Sequence, residues 1–527
     1  MKRFNFYIPL IIILMVTAFV YARTLQNGFF WDDYIHISNN PDIRLLSLHN
    51  IQSFFTSYYV NMYHPLVTLS FAIEYHFVGL SPLMYHASNV LFHLANVVLV
   101  FYLIFLLSQR CETAIIAACL FAIHPMHVES VAWITERKDV LYAFFYLLAL
   151  IFYLRFIQQG KVKNYWMVYL CFVLSLFSKT TAITFPIVLF LIDIYYRRKV
   201  TVHTFLEKFP LLALSLVFGI IALHSQEGSA RYIVKGSFDF LDRIFLASYS
   251  LCYYLIHLFF PFNLSAIHLM PIKSGGLLPV IYYLAPLPLI ILAFIGTRKG
   301  FFQREYVFGL LVFVAILSLN LHIIPVGIAI VSERYTYLAY VGLYYMIGQL
   351  YVFFFDRYHN FLYSWKNGII MGAALLALFF GYLTYQRIAV WRSNIVLFED
   401  AALKSNNVKE NNFILTLAYG SEGVENNRVK HYTEAIEWFN KAVALSPQLP
   451  ELYVNRGASK YSLHNCTDAI KDYEKAIELD SSYAPAYFNR ALVYLVWNRQ
   501  QEACEDLWNA YRFGMTNAFN FVPINCF

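Results

Sequence analysis

The sequence predicts an all-α protein in which a helical domain crosses a membrane many times and an α-solenoid of short helix pairs follows it. Three observations lead there. Of 527 residues, 59% are hydrophobic and 13% charged, and the mean hydropathy is +0.53, whereas soluble domains carry about 25% charged residues. Apolar stretches of near-spanning length recur as far as residue 385. Beyond them, a pattern of small and bulky residues repeats every 34 positions. The same composition excludes disordered and collagen-like chains.

Twelve stretches are candidate spans: 4–21, 84–107, 113–134, 140–157, 165–177, 182–196, 209–223, 244–260, 277–295, 306–324, 335–355 and 368–385. Several fall short of the ~20 residues that a perpendicular helix needs. The run from Met1-Lys2-Arg3 to Val20 has no small-x-small cleavage site after it, so it reads as an uncleaved first span entering from the cytoplasm. Short connectors rich in Lys and Arg mark the cytoplasmic side: Arg155/Lys161/Lys163, Arg197/Arg198/Lys199 and Arg298/Lys299/Arg304. Their parity holds only if one stretch does not cross. The choice falls on 244–260, which ends in Pro261-Phe262-Asn263 and reads as re-entrant. About eleven spans remain. The outer side then receives residues 22–83, 124–139, 178–181, the loop after His224, 322–334 and everything after Gln386.

In the tail, Ala435, Ala469 and Ala503 stand 34 residues apart, each followed by a bulky residue (Phe439, Tyr473, Leu507) and a second small one (Ala442, Ala476, Ala510). Asn455-Arg456 recurs as Asn489-Arg490. This is the period of tetratricopeptide repeats (TPRs), helix-turn-helix units whose small residues let helices approach while the bulky ones fill the neighbouring groove. The expected domains are a membrane domain over 1–386, an amphipathic connector with Trp391 and Phe398 plus an irregular first repeat helix over 387–428, repeats over 429–518, and a tail over 519–527.

The net charge of +7 is uneven: residues 408–527 hold 11 basic and 14 acidic side chains, which leaves +10 for the rest. That surplus is the positive-inside bias and gives no support to a nucleic-acid partner. Seven cysteines contain no C-x-x-C pair. Cys111, Cys119, Cys171 and Cys252 lie in apolar runs, while Cys466, Cys504 and Cys526 share the tail and can pair in an oxidising compartment.

Residues that carry chemistry gather near the outer face. The first outer loop opens Gly28-Phe29-Phe30-Trp31-Asp32-Asp33-Tyr34. A carboxylate at the water–membrane boundary can serve as general base towards a hydroxyl, and a neighbouring aromatic such as Trp31 can support a sugar face. Either Asp can equally cap the helix that follows. His64-Pro65 comes next, then His86, Asn89 and His93 on one helix face, where a hydrogen-bonded seam is the simpler expectation for Asn89 and His93. The densest cluster is His124-Pro125-Met126-His127-Val128-Glu129-Ser130 with Thr135-Glu136-Arg137-Lys138-Asp139. Its H-x-x-H-x-E order is not the helical zinc-protease pattern, so no metal ligands are assigned. Arg137 and Lys179 suit the phosphate of a lipid headgroup better, with snorkelling as the plainer alternative. Ser332-Glu333-Arg334-Tyr335 adds another arginine.

In this order the features resemble the transmembrane-and-TPR O-mannosyltransferases and their bacterial relatives. They are D-D in the first outer loop, H-P-x-H-x-E-S-V-A-W-I-x-x-R-x-D, S-K near the fifth span, E-R-Y before a late span, and C-terminal TPRs. The resemblance implies a GT-C glycosyltransferase fold and an inverting transfer from a polyprenyl-phosphate sugar to a hydroxyl of a protein or peptide. Asp32 or Asp33 would be the base, with Asp32 slightly ahead. Arg137, Lys179 and Arg334 would bind the donor phosphate, and Trp31, His64, His124, His127, Glu129, Asp139 and Glu333 would line the site. No cofactor is implied with certainty, and a divalent cation is left open. The expected location is a bacterial inner membrane with the TPR tail in the periplasm. Thr180 stands where relatives often carry Glu after the S-K pair, and the array of about three units is short. The competing class is a non-enzymatic membrane scaffold that recruits partners through its TPRs.

Overall fold

A computed structural model describes residues 7–59, 62–199, 201–225, 238–297, 303–323, 329–358, 365–405 and 407–521. The chain forms two compact units, Met1–Ser393 and Asn394–Phe527. Among the described residues both are helical, and the only β-pairing is three isolated bridges.

In the first unit every candidate stretch contains a helix. Among the described residues six helices are long and apolar enough to cross a membrane: Tyr7–Gln26, Pro82–Ser108, Ile134–Gln159, Val202–Ser225, Glu333–Arg357 and Asn367–Val390. Cys111–Ile123 and Pro125–Ala132, bent by 57°, make a seventh if counted as one broken span. This is a membrane protein. Four shorter apolar helices accompany them; the 17-residue Val162–Ser178 is about 26 Å long at 1.5 Å per residue, less than a hydrocarbon core of about 30 Å. The 244–260 stretch lies in a continuous 20-residue helix, Phe240–Phe259, opened by a capping box between Asp239 and Asp242. Arg298 and Lys299, which served to orient the spans, lie outside the described residues.

Two devices hold this unit together where the hydrophobic effect is weak. The first is close backbone approach. A Cβ on Gly309 would sit 2.5 Å from the Gly342 carbonyl oxygen, and one on Gly342 would collide with the Gly309 carbonyl. The helices Arg304–Leu317 and Thr336–Arg357 therefore touch through glycine. The second is a polar seam along Pro82–Ser108. Asn89 Nδ2 donates to the carbonyls of Val131, Trp133 and Ile134, Asn96 Nδ2 to that of Val140, and His93 contacts Tyr337 Oη at 2.8 Å and the Ala122 carbonyl at 3.1 Å. Asn89 and His93 thus form the expected seam. They do so because the stretch they hold is not an open loop: residues 121–143 are buried throughout, folded as short turns and helix starts whose spare backbone groups need partners.

The second unit begins with Asn394–Lys404 and the 21-residue Val408–Arg428. Five helices of 13–14 residues follow: Tyr432–Leu445, Pro450–Ser462, Cys466–Leu479, Ala484–Val496 and Gln500–Arg512. The repeated positions all face the core. Ala435, Ala469, Ala503, Ala442, Ala476 and Ala510 are fully buried, with Phe439, Tyr473 and Leu507. Gly423 lies against Phe439 and Gly457 against Tyr473, where a Cβ would come within 2.6 Å of either ring. The recurring Asn-Arg pairs have one structural purpose: Arg456 pairs with Asp472 and Arg490 with Asp506, each through two hydrogen bonds of 2.6–3.0 Å. Trp391 is buried at the end of the first unit, whereas Phe398 belongs to the second, so the expected connector falls across the boundary between them. Cys504 is disulfide-bonded and Cys466 free; Cys526 lies outside the described residues.

Candidate active site

The site grows from the turn that follows the first helix. Trp31 has φ +52°, a left-handed backbone that a bulky side chain rarely adopts. What compensates is stacking: the Trp31 ring lies 4.7 Å from that of Trp133 with an interplanar angle of 13°, and Trp133 in turn stacks on Trp391 at 5.8 Å. The turn separates the two adjacent aspartates. Asp33 is fully buried and accepts hydrogen bonds from the Phe30 N–H (3.3 Å), the Thr135 N–H (2.8 Å) and the Thr135 hydroxyl. It anchors the loop to the 134–136 turn, and burial pushes its carboxyl up to about 7. Asp32 is half-buried, and among the described residues its carboxylate accepts no hydrogen bond. Desolvation raises its pKa above the ordinary Asp value, opposed by Lys138 and Arg334 and reinforced by Glu136.

Three charged groups therefore act electrostatically on Asp32, and of these the sequence analysis gave a role only to Arg334. Lys138 is buried and pairs with Glu136 at 3.0 Å. Arg334 Nε lies 3.5 Å from the same Glu136 oxygen, and the Arg334 backbone N–H and guanidinium both bind Glu129. Lys138 and Arg334 approach the Trp133 ring at 5.9 and 5.6 Å. Beside Lys138 a cavity of about 10 Å³, room for one water, is lined by His36, Tyr59, His64 and Thr135. Burial lowers His36 to about 4 and His64 well below the usual imidazole range, so both are neutral at pH 7. The signal for Lys138 and Glu136 was present in the Glu136-Arg137-Lys138-Asp139 run, but a helix start gives no indication of which neighbour points to which side.

Other expected site residues are engaged elsewhere. All five N–H groups of Arg137 are used: Nε on Asn89, Nη1 on Ser70 and Glu74, Nη2 on Glu74 and the Tyr85 carbonyl. It is a structural clamp with no donor left for phosphate, which corrects the sequence expectation. His124 bonds the Leu258 carbonyl and the Met126 N–H, and His127 bonds Tyr344 Oη at 2.9 Å; both are fully buried in the helical core. Glu333 pairs with Arg387 at 2.9 Å. Lys179 is paired with Asp139, which also accepts from Ser130. Of the expected set, the structure brings together Trp31, Asp32, Asp33, Glu129, Arg334 and, across the cavity, His64. Among the described residues no three His, Cys, Asp or Glu side chains cluster as metal ligands.

The TPR-repeat family model matches residues 430–464 and 460–495. Human protein O-mannosyl-transferase TMTC1 is 34% identical over 152 residues, 27% of this chain and 17% of that protein. Tmtc1 of Drosophila melanogaster is 34% identical over 176 residues, 32% and 20% respectively. The chain is similar to proteins named O-mannosyl-transferases. The similarity covers more of the chain with F38B6.6 of Caenorhabditis elegans, also named a protein O-mannosyl-transferase, at 25% identity over 452 residues, 81% of this chain and 62% of that one. Against the first relatives the chain spans only 16–19% of their length. Among solved structures, the first TPR of Spaghetti (RPAP3) bound to an HSP90 peptide is 26% identical and covers 20% of this chain and 86% of that one, with a TM-score of 0.20.

Proposed function

We propose that this protein is a GT-C-type membrane glycosyltransferase. In this reading it moves a hexose, mannose by analogy, from a polyprenyl-phosphate donor to a hydroxyl of a protein or peptide at the outer face of a bacterial inner membrane. Its TPR tail is periplasmic, and about eleven segments cross. The observation that carries this reading is the Asp32 carboxylate. It accepts no hydrogen bond among the described residues, burial raises its pKa, and two cations, Lys138 and Arg334, act on it electrostatically.

Asp32 takes the proton of the acceptor hydroxyl as that oxygen attacks the anomeric carbon, and the configuration inverts. Arg334 and Lys138 stabilise the charge that develops on the departing lipid phosphate. Asp33, Trp31 and Trp133 fix the loop. Lys179 belongs to the same charged cluster and acts through Asp139. The names of the relatives support the sugar and the protein acceptor.

The test is transfer of radiolabelled sugar from polyprenyl-phosphate mannose, glucose and galactose in membranes that express the protein. Asp32→Asn is expected to abolish it while leaving the protein folded. Full activity in that variant would refute the base assignment. The TPR match favours the scaffold reading as well, and that reading expects loss of function from TPR disruption with no effect of Asp32→Asn.

A further inference from the structure

Glu136 stands out among the buried acids near the site. Asp33, Asp139 and Glu129 are each held by hydrogen-bond donors. Glu136 is fully buried and its partners are two cations on one oxygen, Lys138 at 3.0 Å and Arg334 at 3.5 Å from Oε1, while Oε2 has no hydrogen-bond partner. A buried carboxylate oxygen without a partner calls for a reason. The two cations it touches are the two that act electrostatically on Asp32. They differ from Arg137, whose five donors are saturated, because Lys138 makes no other ion pair among the described residues and Arg334 keeps donors besides those on Glu129.

We propose that Lys138 and Arg334 form a binding site for a phosphate ester and that Glu136 is its built-in competitor. The inference rests on the transferase reading for its purpose: an anion that shares the phosphate's cations weakens the hold on the lipid phosphate left after transfer and so favours its release. Like charges that share the same cations repel, so neutralising Glu136 is expected to tighten phosphate binding at least about ten-fold. The readout is binding, which needs neither a sugar nor an acceptor.

The experiment measures binding of farnesyl monophosphate to the purified full-length protein in detergent, with farnesol and inorganic phosphate as separate arms. Wild type is expected to prefer the phosphate ester to farnesol. Glu136→Gln is expected to bind it at least ten-fold more tightly, and Lys138→Met to lose the preference. Unchanged or weaker binding in a folded Glu136→Gln protein would overturn the proposal. Should that variant not fold, Lys138→Met decides alone, and wild-type affinity there would overturn it too. Inorganic phosphate binding as well as the ester would overturn the lipid as the ligand. Tightening by Glu136→Gln in a protein that transfers no sugar from any donor would leave the phosphate site standing and remove the transferase reading.

Discussion

Two adjacent aspartates of one loop have unlike fates, because a left-handed residue precedes them and turns one inwards. Asp33 is held by Phe30 and Thr135, so Asp33→Asn is expected to loosen the loop, seen as faster proteolysis between Gly28 and Asn40, while Asp32→Asn leaves the digestion pattern unchanged. The raised pKa of Asp32 sets the sign of a pH effect. A general base works deprotonated, so activity should rise with pH through a limb above the ordinary Asp range of about 4. A pH–rate profile checks this, and an acidic limb at or below pH 4 would be the contrary result. Trp31→Ala keeps the positive φ but loses the ring stack with Trp133, so it should lower kcat by about ten-fold or more, whereas Trp31→Phe retains stacking and most activity. The sequence made the D-D pair, Trp31 and Arg334 visible. It did not reveal that Arg137 is spent on Glu74 and Asn89, nor that Lys138 replaces it at the site. Adjacent basic residues at a helix start look alike until the tertiary partners are known.

Among the elements, the solenoid was the most legible. Each helix pair buries residues from a fixed 34-residue pattern, and every position read from that pattern, from Ala435 to Ala510, is fully buried. Removing the ring that fills one groove, Tyr473→Ala, should cost about 3–5 kcal/mol and lower the unfolding temperature of the repeat unit. In the membrane unit the apolar stretches all proved helical, but length alone could not say which of them cross, because several helices are shorter than the bilayer core. Gly309 and Gly342 carried no signal in a single sequence, since their importance lies in a backbone contact between distant helices. Gly342→Leu pushes those helices apart and is expected to lower the Tm of detergent-solubilised protein by several degrees, with a smaller effect from Gly372→Leu, where a Cβ meets open space. The 124–139 segment, read as an outer loop because its polar residues are dense, is buried, and its backbone carbonyls are satisfied by Asn89 of a neighbouring helix.

For the whole molecule, the function proposed above puts the TPR tail in the periplasm. Alkaline phosphatase fused after Phe527 should be active, and an inactive fusion would put the tail on the cytoplasmic side and separate it from the site. Cys504, disulfide-bonded in the tail, fits an oxidising compartment. The central claim is that Asp32 is the base of a sugar transfer, and the most direct measurement uses purified protein, one labelled polyprenyl-phosphate sugar and an acceptor peptide. Wild type should transfer the label, and Asp32→Asn should lose at least about a hundred-fold in kcat while binding the donor as before. Transfer by Asp32→Asn at the wild-type rate would contradict the account.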